Sequence, residues 1–201
     1  LAFPNTYYAN LEAKGRFENN AAVTKEVALM MDPSADPFAA PAPDADAPIE
    51  RFGAKDANDL SWANLLNAYT CTECGRCTSE CPANLTGKKL SPRKIMMDTR
   101  DRIEEIGQNI ATNGSFLDDG KSLLGDYITN EELWACTSCN ACVQACPVDI
   151  DPLNIIMKLR NFATMEESSA PGALNAMMTN VENNGAPWPF NQMDRANWIN
   201  E

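Results

Sequence analysis

The stretch CTECGRCTSECP at residues 71–82 returns at residues 136–147 as CTSCNACVQACP. In both stretches two, two and three residues separate successive cysteines, and a proline follows the last cysteine. The two stretches contain all 8 cysteines of the chain. Such a closely repeated spacing indicates two copies of one local structure, around which the rest of the chain is arranged.

The spacing of the cysteines restricts which metal group they can hold. Three cysteines at positions i, i+3 and i+6 of a tight loop can turn their sulfur atoms inward, whereas the fourth lies one turn further along and faces away. The run is typical of bacterial ferredoxins with two [4Fe–4S] clusters, in which the fourth cysteine binds the other cluster. The proline that follows has no N–H group and suits a change of chain direction. We therefore predict a first cluster on Cys71, Cys74, Cys77 and Cys146, and a second cluster on Cys136, Cys139, Cys142 and Cys81.

Two other uses of these cysteines fit the pattern less well. Four disulfides are one alternative, but disulfide scaffolds are usually short and secreted, and their spacings seldom repeat so closely. Zinc is the other alternative, but a structural zinc site takes four ligands and favours paired C-x2-C units, which this pattern lacks.

The composition excludes several classes of function. Histidine is absent from the 201 residues, which excludes a histidine-ligated haem, a Rieske centre and a histidine general acid or base within them. The net charge of −12 argues against nucleic acid as a partner. No apolar stretch approaches the ~20 residues that cross a bilayer. Oxygen-sensitive clusters and free thiolates belong in a reducing compartment, so we expect a cytoplasmic location.

The chain divides by composition into four segments. Residues 1–31 form an N-terminal arm with an aromatic start, and a helix is expected from Val23 to Met31 with Thr24 as its cap. The aromatic residues fit either an arm packed on the core or a segment just outside a membrane. Residues 32–48 are rich in proline and predict an extended linker. The ferredoxin domain is expected over residues 49–165, and a C-terminal extension over residues 166–201.

Helix-start signals flank both cysteine stretches. Ser61 is placed to cap a helix that leads into the first stretch. Ser91 and Asp151 each precede a proline at a first helical position, and Thr129 and Glu132 form a capping box. No run alternates as a strand does. The first cysteines of the two stretches lie 65 residues apart (136 minus 71), with a long amphipathic helix between them. The sequence therefore predicts an all-α ferredoxin with extended N- and C-terminal arms.

Other residues near the motifs are candidates for tuning the clusters or docking a partner. Thr72, Gly75 and Thr137 lie within the cysteine loops and are candidates for hydrogen bonding around the clusters. Basic residues concentrate around the first motif, where they form a solvated helix face, a docking patch for an acidic redox partner, or a field that raises a cluster potential. These basic residues are Arg76, Lys88, Lys89, Arg93, Lys94, Arg100 and Arg102.

Longer stretches of the sequence resemble a known family. YTCTECGRC (69–77), PANLTGKKLSPRKI (82–95) and LWACTSCNAC (133–142) are similar to the ferredoxin segment of heterodisulfide-reductase-related membrane Fe–S oxidoreductases, the HdrC/HdrD-like proteins. SAPGAL (169–174) and ENNGAPWP (182–189) fit the same family, so the likeness covers nearly the whole chain. The same helical fold is shared, more distantly, with the iron–sulfur subunit of succinate dehydrogenase.

The resemblance implies a function and a setting. Family members look like three-part proteins, with a membrane domain, a two-cluster ferredoxin and cysteine-rich CCG domains, and this chain resembles the middle part. It begins at Leu1 and not at methionine, so we expect it to be a piece of a longer polypeptide. The implied role is electron transfer between a soluble donor or acceptor and a membrane quinone or haem, with a membrane subunit or domain and other redox proteins as partners. The implied location is the cytoplasmic face of the inner membrane.

Two other functions stay open at this point. One is a standalone ferredoxin-like subunit of a cytosolic redox complex. The other is a catalytic reductase of a disulfide or an organic acid, which is disfavoured because no cysteine remains once the clusters are filled and no histidine exists. We therefore expect no substrate-converting site within this chain.

Overall fold

The structure, a computed structural model, describes residues 14–17, 19, 21–34 and 51–199. The aromatic start of the arm and residues 35–48 of the expected linker lie outside the described residues. Within the described ranges the α-helices are α1 (Ala21–Met31), α2 (Trp62–Thr70), α3 (Arg76–Ser79), α4 (Pro82–Leu85), α5 (Pro92–Asn113), α6 (Asn130–Ala135), α7 (Ala141–Gln144), α8 (Pro152–Met165) and α9 (Gly172–Asn184).

The regular secondary structure of the described residues is helical. Short 3-10 helices occur at Ala57–Asp59 and Gln192–Ile199, and a π-type turn covers Leu123–Tyr127. No strand occurs among the described residues, where an isolated bridge joins Leu124 and Ile128. The predicted all-α fold is therefore confirmed. None of the described helices combines the length and the apolar composition that crossing a bilayer requires.

The helices around the cysteine stretches begin where the sequence predicts. The Ser61 hydroxyl accepts a hydrogen bond from the Asn64 amide, and Ser91 caps α5 with Pro92 at the first helical position. Asp151 caps α8 in the same way, and Thr129 forms a capping box with its helix. Each cap satisfies N–H groups that have no partner inside the helix. The expected cap at Thr24 is wrong, because α1 already begins at Ala21.

The core forms where α5 packs against α2 and α8. Ile95 and Met96 of α5 are fully buried, as are Ile155 and Leu159 of α8. The apolar stripe of α5 leaves the core at its end, where Ile110 is 42% exposed. Burying aliphatic side chains at this spacing stabilises the fold and fixes where each following loop begins.

A buried arginine joins α5 to the segments on either side of it. The Arg102 side chain is fully buried, and its guanidinium donates to both carboxylate oxygens of Asp56 at 2.7–3.1 Å. The same group donates to both carboxylate oxygens of Asp119 at 2.6 and 2.9 Å, and to the Lys121 carbonyl at 2.9 Å. Such paired, fork-shaped contacts satisfy the buried charge and fix the two loops in place.

The chain divides after Glu166 into two compact units. The first unit contains all 8 cysteines. The second contains α9 and the 3-10 helix Gln192–Ile199.

The first unit contains the same order of structural elements twice. A helix (α2 or α6) leads into a cysteine loop, a one-turn helix (α3 or α7) follows, and a capped long helix (α5 or α8) returns along the core. We call residues 71–77 the first loop and residues 136–142 the second loop. The repeat brings α3 and α7 into contact, which sets the two loops side by side.

Candidate iron–sulfur centre

The two loops share one backbone conformation. Glu73 and Ser138, which follow the first cysteine at the same distance, have φ of 57° and 56°. Gly75 and Asn140, which immediately precede α3 and α7, have φ of 80° and 63°. Left-handed residues at alternate positions curl each loop tightly, which is the condition for its cysteines to point inward.

The structure brings Cys146 together with the first loop. One cavity is lined by the thiols of Cys71, Cys74, Cys77 and Cys146. Its remaining wall consists of Thr72, Gly75, Arg93, Val148, Ile150 and Pro152. Cys146 therefore lies beside three cysteines that precede it by about seventy residues, and not beside its sequence neighbours alone.

Cys81 lies in turn with the second loop. Burial raises the pKa of Cys136, and the neighbouring Cys81 thiol adds to that rise. Burial also raises the pKa of Cys142 to about 12, with contributions from Cys136, Asp151, Cys77 and Cys81. These mutual effects require the thiols to be close, since charges in a protein act over short range. The contact between α3, which carries Cys77, and α7, which carries Cys142, places the two groups of thiols next to each other.

Backbone and hydroxyl donors surround the sulfur atoms. The Ser138 amide donates to Cys136 Sγ at 3.4 Å, and the Ile150 amide donates to Cys146 Sγ at 3.3 Å. The Thr78 hydroxyl also bonds the Cys77 thiol and opposes the rise in its pKa that burial causes. Sequence reasoning missed these three donors, although the repeated position of Ser138 within its loop was a usable signal.

The candidates for hydrogen bonding that the sequence did name lie at the sites. Thr72 and Gly75 line the cavity of the first loop. The Ala141 amide lowers the pKa of Cys139, and the Thr137 hydroxyl acts in the same direction. Donors of this kind stabilise thiolates and tune the clusters that they bind.

The donor set fits a [4Fe–4S] cluster better than the alternatives. All 8 cysteines are free of disulfides. Among the described residues no three Cys, Asp or Glu side chains are arranged to hold a single metal ion, whereas zinc requires its sulfurs to converge on one point at about 2.3 Å. Four thiols around a cavity with apolar walls match the four-cysteine requirement of one cubane. Because burial raises the pKa of Cys71, Cys77, Cys136 and Cys142, binding there must release protons from these thiols.

Most of the basic residues around the first motif have partners. Of the seven, Lys89, Lys94, Arg100 and Arg102 form ion pairs. Arg76, Lys88 and Arg93 are exposed and form no ion pair with any described residue. The predicted docking patch is thereby reduced to these three side chains, and its role stays a prediction.

A short N-terminal segment covers the second loop. The Gly15 amide donates to an Asp151 carboxylate oxygen at 2.8 Å, and the Asn140 side-chain amide donates to the Gly15 carbonyl at 2.8 Å. The Lys14 ammonium donates to the Asp149 carbonyl. This segment lies on the second loop at Asn140, while Cys74 of the first loop and Cys139 of the second loop are both exposed.

Comparison with known proteins identifies the domain. Residues 70–150 match the family model of the 4Fe-4S dicluster domain. The chain is 34% identical over 181 residues to a probable iron-sulfur-binding oxidoreductase, FadF, of Bacillus subtilis, an alignment covering 76% of this chain and 26% of that protein. It is 31% identical over 171 residues to the EtfAB:quinone oxidoreductase of Syntrophomonas wolfei, covering 76% and 24%. It is 32% identical over 170 residues to a probable membrane-anchored ferredoxin of Chromohalobacter salexigens, covering 77% and 25%.

These matches define what the chain shares with its relatives. It spans about a quarter of the length of the three proteins just named. Iron–sulfur subunits of CoB–CoM heterodisulfide reductases also match, over about half of this chain. The predicted cofactors, two [4Fe–4S] clusters, and the resemblance to heterodisulfide reductase are thus confirmed. Residues 70–150 thus match the 4Fe-4S dicluster domain, and the chain is an iron–sulfur electron-transfer module similar to those of oxidoreductases.

Proposed function

We propose that this chain relays electrons between a soluble flavoprotein and a membrane quinone or haem, as one module of a larger membrane-associated oxidoreductase at the cytoplasmic face of the membrane. The observation that carries the proposal is the contact between α3, which carries Cys77, and α7, which carries Cys142, because it sets the two groups of thiols side by side. When bound, each cluster supplies a one-electron redox couple. The chain's own residues hold two such couples side by side, donate hydrogen bonds to the thiolates and cover them with apolar walls.

The relatives support the choice of partners. The name EtfAB:quinone oxidoreductase couples an electron-transfer flavoprotein to a quinone, and another relative is named a membrane-anchored ferredoxin. Neither name describes a substrate that is converted within the segment shared with this chain. Cys74 and Cys139 both lie at the surface, and the exposed Arg76 beside the first loop, which forms no ion pair with a described residue, offers an acidic soluble partner a contact there.

Mixing experiments test the relay. The chain is loaded anaerobically with iron and sulfide, oxidised, and mixed with a reduced electron-transfer flavoprotein while the visible absorbance of the clusters is followed. We expect bleaching of the clusters in step with oxidation of the flavin. Flavin oxidation without bleaching, or no reaction over the time in which a bacterial ferredoxin control reacts, would reject the flavoprotein as donor.

A second candidate function is a subunit without membrane contact. The observation that favours it is the match to a heterodisulfide reductase subunit of Methanosarcina acetivorans, where the aligned part makes up 54% of that protein. Fractionation of the intact gene product distinguishes the two: the relay predicts recovery with membranes after a high-salt wash, and the second function predicts recovery in the soluble fraction.

We further propose the crossed ligation that the motif predicts. Cys71, Cys74, Cys77 and Cys146 would bind the first cluster, and Cys136, Cys139, Cys142 and Cys81 would bind the second. Support comes from the shared cavity of Cys146 and the first loop, and from the mutual effects of Cys81, Cys136 and Cys142.

Single substitutions test the crossing. We expect Cys146→Ser to damage the cluster bound by the first loop, and Cys81→Ser to damage the cluster bound by the second. Iron analysis should give about 8 Fe for the wild type and fewer for either variant. Since both variants lose iron, a second label is needed: alkylation of newly exposed thiols, located by mass spectrometry, should mark Cys71, Cys74 or Cys77 in Cys146→Ser. Alkylation confined to Cys136, Cys139 and Cys142 in that variant would contradict the crossing.

A further inference from the structure

The two long helices that follow the cysteine loops carry an arginine at the same position. Arg100 is the ninth residue of α5, which begins at Pro92, and Arg160 is the ninth residue of α8, which begins at Pro152. Each arginine reaches the third residue of its own loop. Arg100 forms an ion pair with Glu73 at 2.8 Å, and Arg160 donates to the Ser138 hydroxyl at 3.3 Å. The repeat has therefore kept the arginine and changed the residue that it meets.

Arg160 is held firmly against the second loop. Its guanidinium donates to the Leu133 carbonyl at 2.7 Å and to the Cys136 carbonyl at 2.6 Å. Its carbon Cζ lies 4.9 Å from the centre of the Trp134 ring, a cation–π contact. These contacts fix the position of the positive charge beside the first cysteine of the loop.

The charge of Arg160 is not neutralised by a carboxylate. No acidic side chain among the described residues forms an ion pair with it. Burial lowers the pKa of Arg160, and the one charged group that acts in the opposite direction is Cys136. At the first loop, by contrast, Glu73 and Arg100 act on Cys71 with opposite signs. The arginine at the first loop is thus paired with carboxylates, Glu73 at 2.8 Å and Asp101 at 4.0 Å, whereas the arginine at the second loop has no carboxylate partner among the described residues.

We propose that Arg160 is the half-buried counter-charge of the second cluster and raises its reduction potential, and that Glu73 offsets the same effect of Arg100 at the first cluster. Reduction adds one electron to a cluster, so a fixed positive charge nearby favours the reduced form. A single position within each loop, Glu73 or Ser138, then sets the two potentials apart without any change of fold. The proposal rests on the relay function, since it concerns how electrons are distributed between two couples.

An acidic side chain also lies near the second loop. Asp151 is 4% exposed and raises the pKa of Cys142, which is opposite in sign to the effect of Arg160 on the pKa of Cys136. Its carboxylate accepts hydrogen bonds from the Gly15 amide at 2.8 Å and the Asn154 amide at 3.0 Å, which disperse its charge. Because Asp151 is unchanged in the variants below, its contribution cancels from every comparison.

The exchange of Ser138 for glutamate provides the sharpest test. The backbone of the second loop accepts this side chain, because Glu73 already occupies the equivalent position at φ 57° and Ser138 has φ 56°. In Ser138→Glu the new carboxylate can pair with Arg160, and Ser138→Gln is the matched neutral control. The full chain, loaded with both clusters, is titrated with dithionite and mediators while EPR reports the reduced clusters.

We expect Ser138→Glu to lower one midpoint potential and leave the other unchanged. At an ambient potential equal to the wild-type midpoint, the ratio of reduced to oxidised cluster should fall about tenfold, which is 59 mV for one electron. In Ser138→Gln the same ratio should stay within twofold of the wild-type value. A fall of less than threefold in Ser138→Glu, or an equal fall in both variants, overturns the proposal.

A reciprocal change in the first loop should move the other midpoint. Glu73→Gln removes the nearer of the two carboxylates paired with Arg100, since Asp101 lies at 4.0 Å, and it should raise the potential that Ser138→Glu does not affect. The rise should be smaller, because the side chains of Arg100 and Glu73 are 21% and 45% exposed and solvent screens them. A shift of the same midpoint as in Ser138→Glu, or a downward shift, contradicts the proposal.

Variants of the arginine itself separate charge from structure. Arg160→Lys keeps the charge, so the ratio of reduced to oxidised cluster at the wild-type midpoint should stay within threefold of the wild-type ratio. Arg160→Gln should reproduce the fall in that ratio seen in Ser138→Glu. If Arg160→Gln does not fold, the serine variants still decide the matter. Iron content of all variants stays at the wild-type value if only the charge has changed. Failure of the crossed ligation would instead appear as an altered pattern of thiol exposure in Cys146→Ser, with these potentials still shifted.

Discussion

Glycine is required at one position by the close approach of two backbones. A Cβ atom at Gly53 would lie 2.4 Å from the Lys158 carbonyl oxygen and 2.4 Å from the Phe162 amide nitrogen. The next residue, Ala54, donates its amide to the same Lys158 carbonyl at 3.1 Å. The segment before α2 therefore lies directly on the backbone of α8, in a place where no flexible side chain can move aside.

Gly53→Ala should consequently destabilise the protein. The clash forces the two backbones apart, and we expect the midpoint of anaerobic thermal unfolding, followed by circular dichroism, to fall by about 5–10 °C. The matched control is Gly107→Ala within α5, where an added Cβ meets nothing within 4 Å. That change should leave the midpoint unchanged or raise it, since alanine favours helix over glycine. Equal effects of the two substitutions would contradict this account.

Residue patterns predicted a large part of the site, and the contacts that they did not predict share one cause. The spacing of the cysteines predicted the cluster type, and the caps at Ser61, Ser91 and Asp151 predicted where the helices begin. The contact between Arg160 and Ser138 was not predictable, because it joins a helix and a loop whose distance depends on how α8 packs. The donors Thr78 and Ile150 were missed for the same reason, since their positions relative to sulfur arise only after the chain has folded.

Among the elements, α5 depends on one buried group more than on its exposed ion pairs. Arg102 joins this helix to Asp56 before α2 and to Asp119 after α5. Asp56 also caps the 3-10 helix Ala57–Asp59 and accepts the Leu123 amide at 3.0 Å. Loss of the guanidinium would leave two carboxylates facing each other without a cation.

We therefore expect Arg102→Met to destabilise the fold strongly. Removing one partner of a buried ion pair costs about 3 kcal/mol, because the remaining charges lose their compensation. The control is Lys89→Met, which breaks a pair with Glu131 whose side chains are 70% and 62% exposed. Exposed pairs contribute little, so this variant should unfold at the wild-type temperature. If Arg102→Met unfolds together with the control, the buried pair has no structural role.

Prediction was less successful for α1 and for the basic residues. The pattern at Val23–Met31 indicated a helix, and α1 is present, yet its start at Ala21 makes Thr24 an interior residue. The basic residues looked like one patch in sequence, but Lys94 pairs with Asp98 and Glu132, and Arg100 pairs with Glu73. Sequence alone gives the charge of a segment, whereas the partners of that charge come from helices that are distant in the chain.

At the scale of the whole molecule, the chain combines a repeated core with unequal surroundings. The two loops share a backbone conformation and lie side by side, and among the described residues Lys14 and Gly15 contact the segment around the second loop. The surroundings of the two loops therefore differ although their backbones match. Near the first loop, Arg76, Lys88 and Arg93 are exposed and form no ion pair with a described residue, in a chain whose net charge is −12.

The cavity of the first loop also carries information about the order of biosynthesis. Its walls include Cys146, Val148 and Ile150, which the ribosome makes long after the first loop. A nascent chain that stops short of Cys146 has three thiols of that set and lacks the apolar side that closes the cavity. If Cys146 completes the first cluster as proposed, the cell can deliver iron and sulfide to the first loop productively only after the second loop has been made and has folded back, which couples maturation of both sites to one late event.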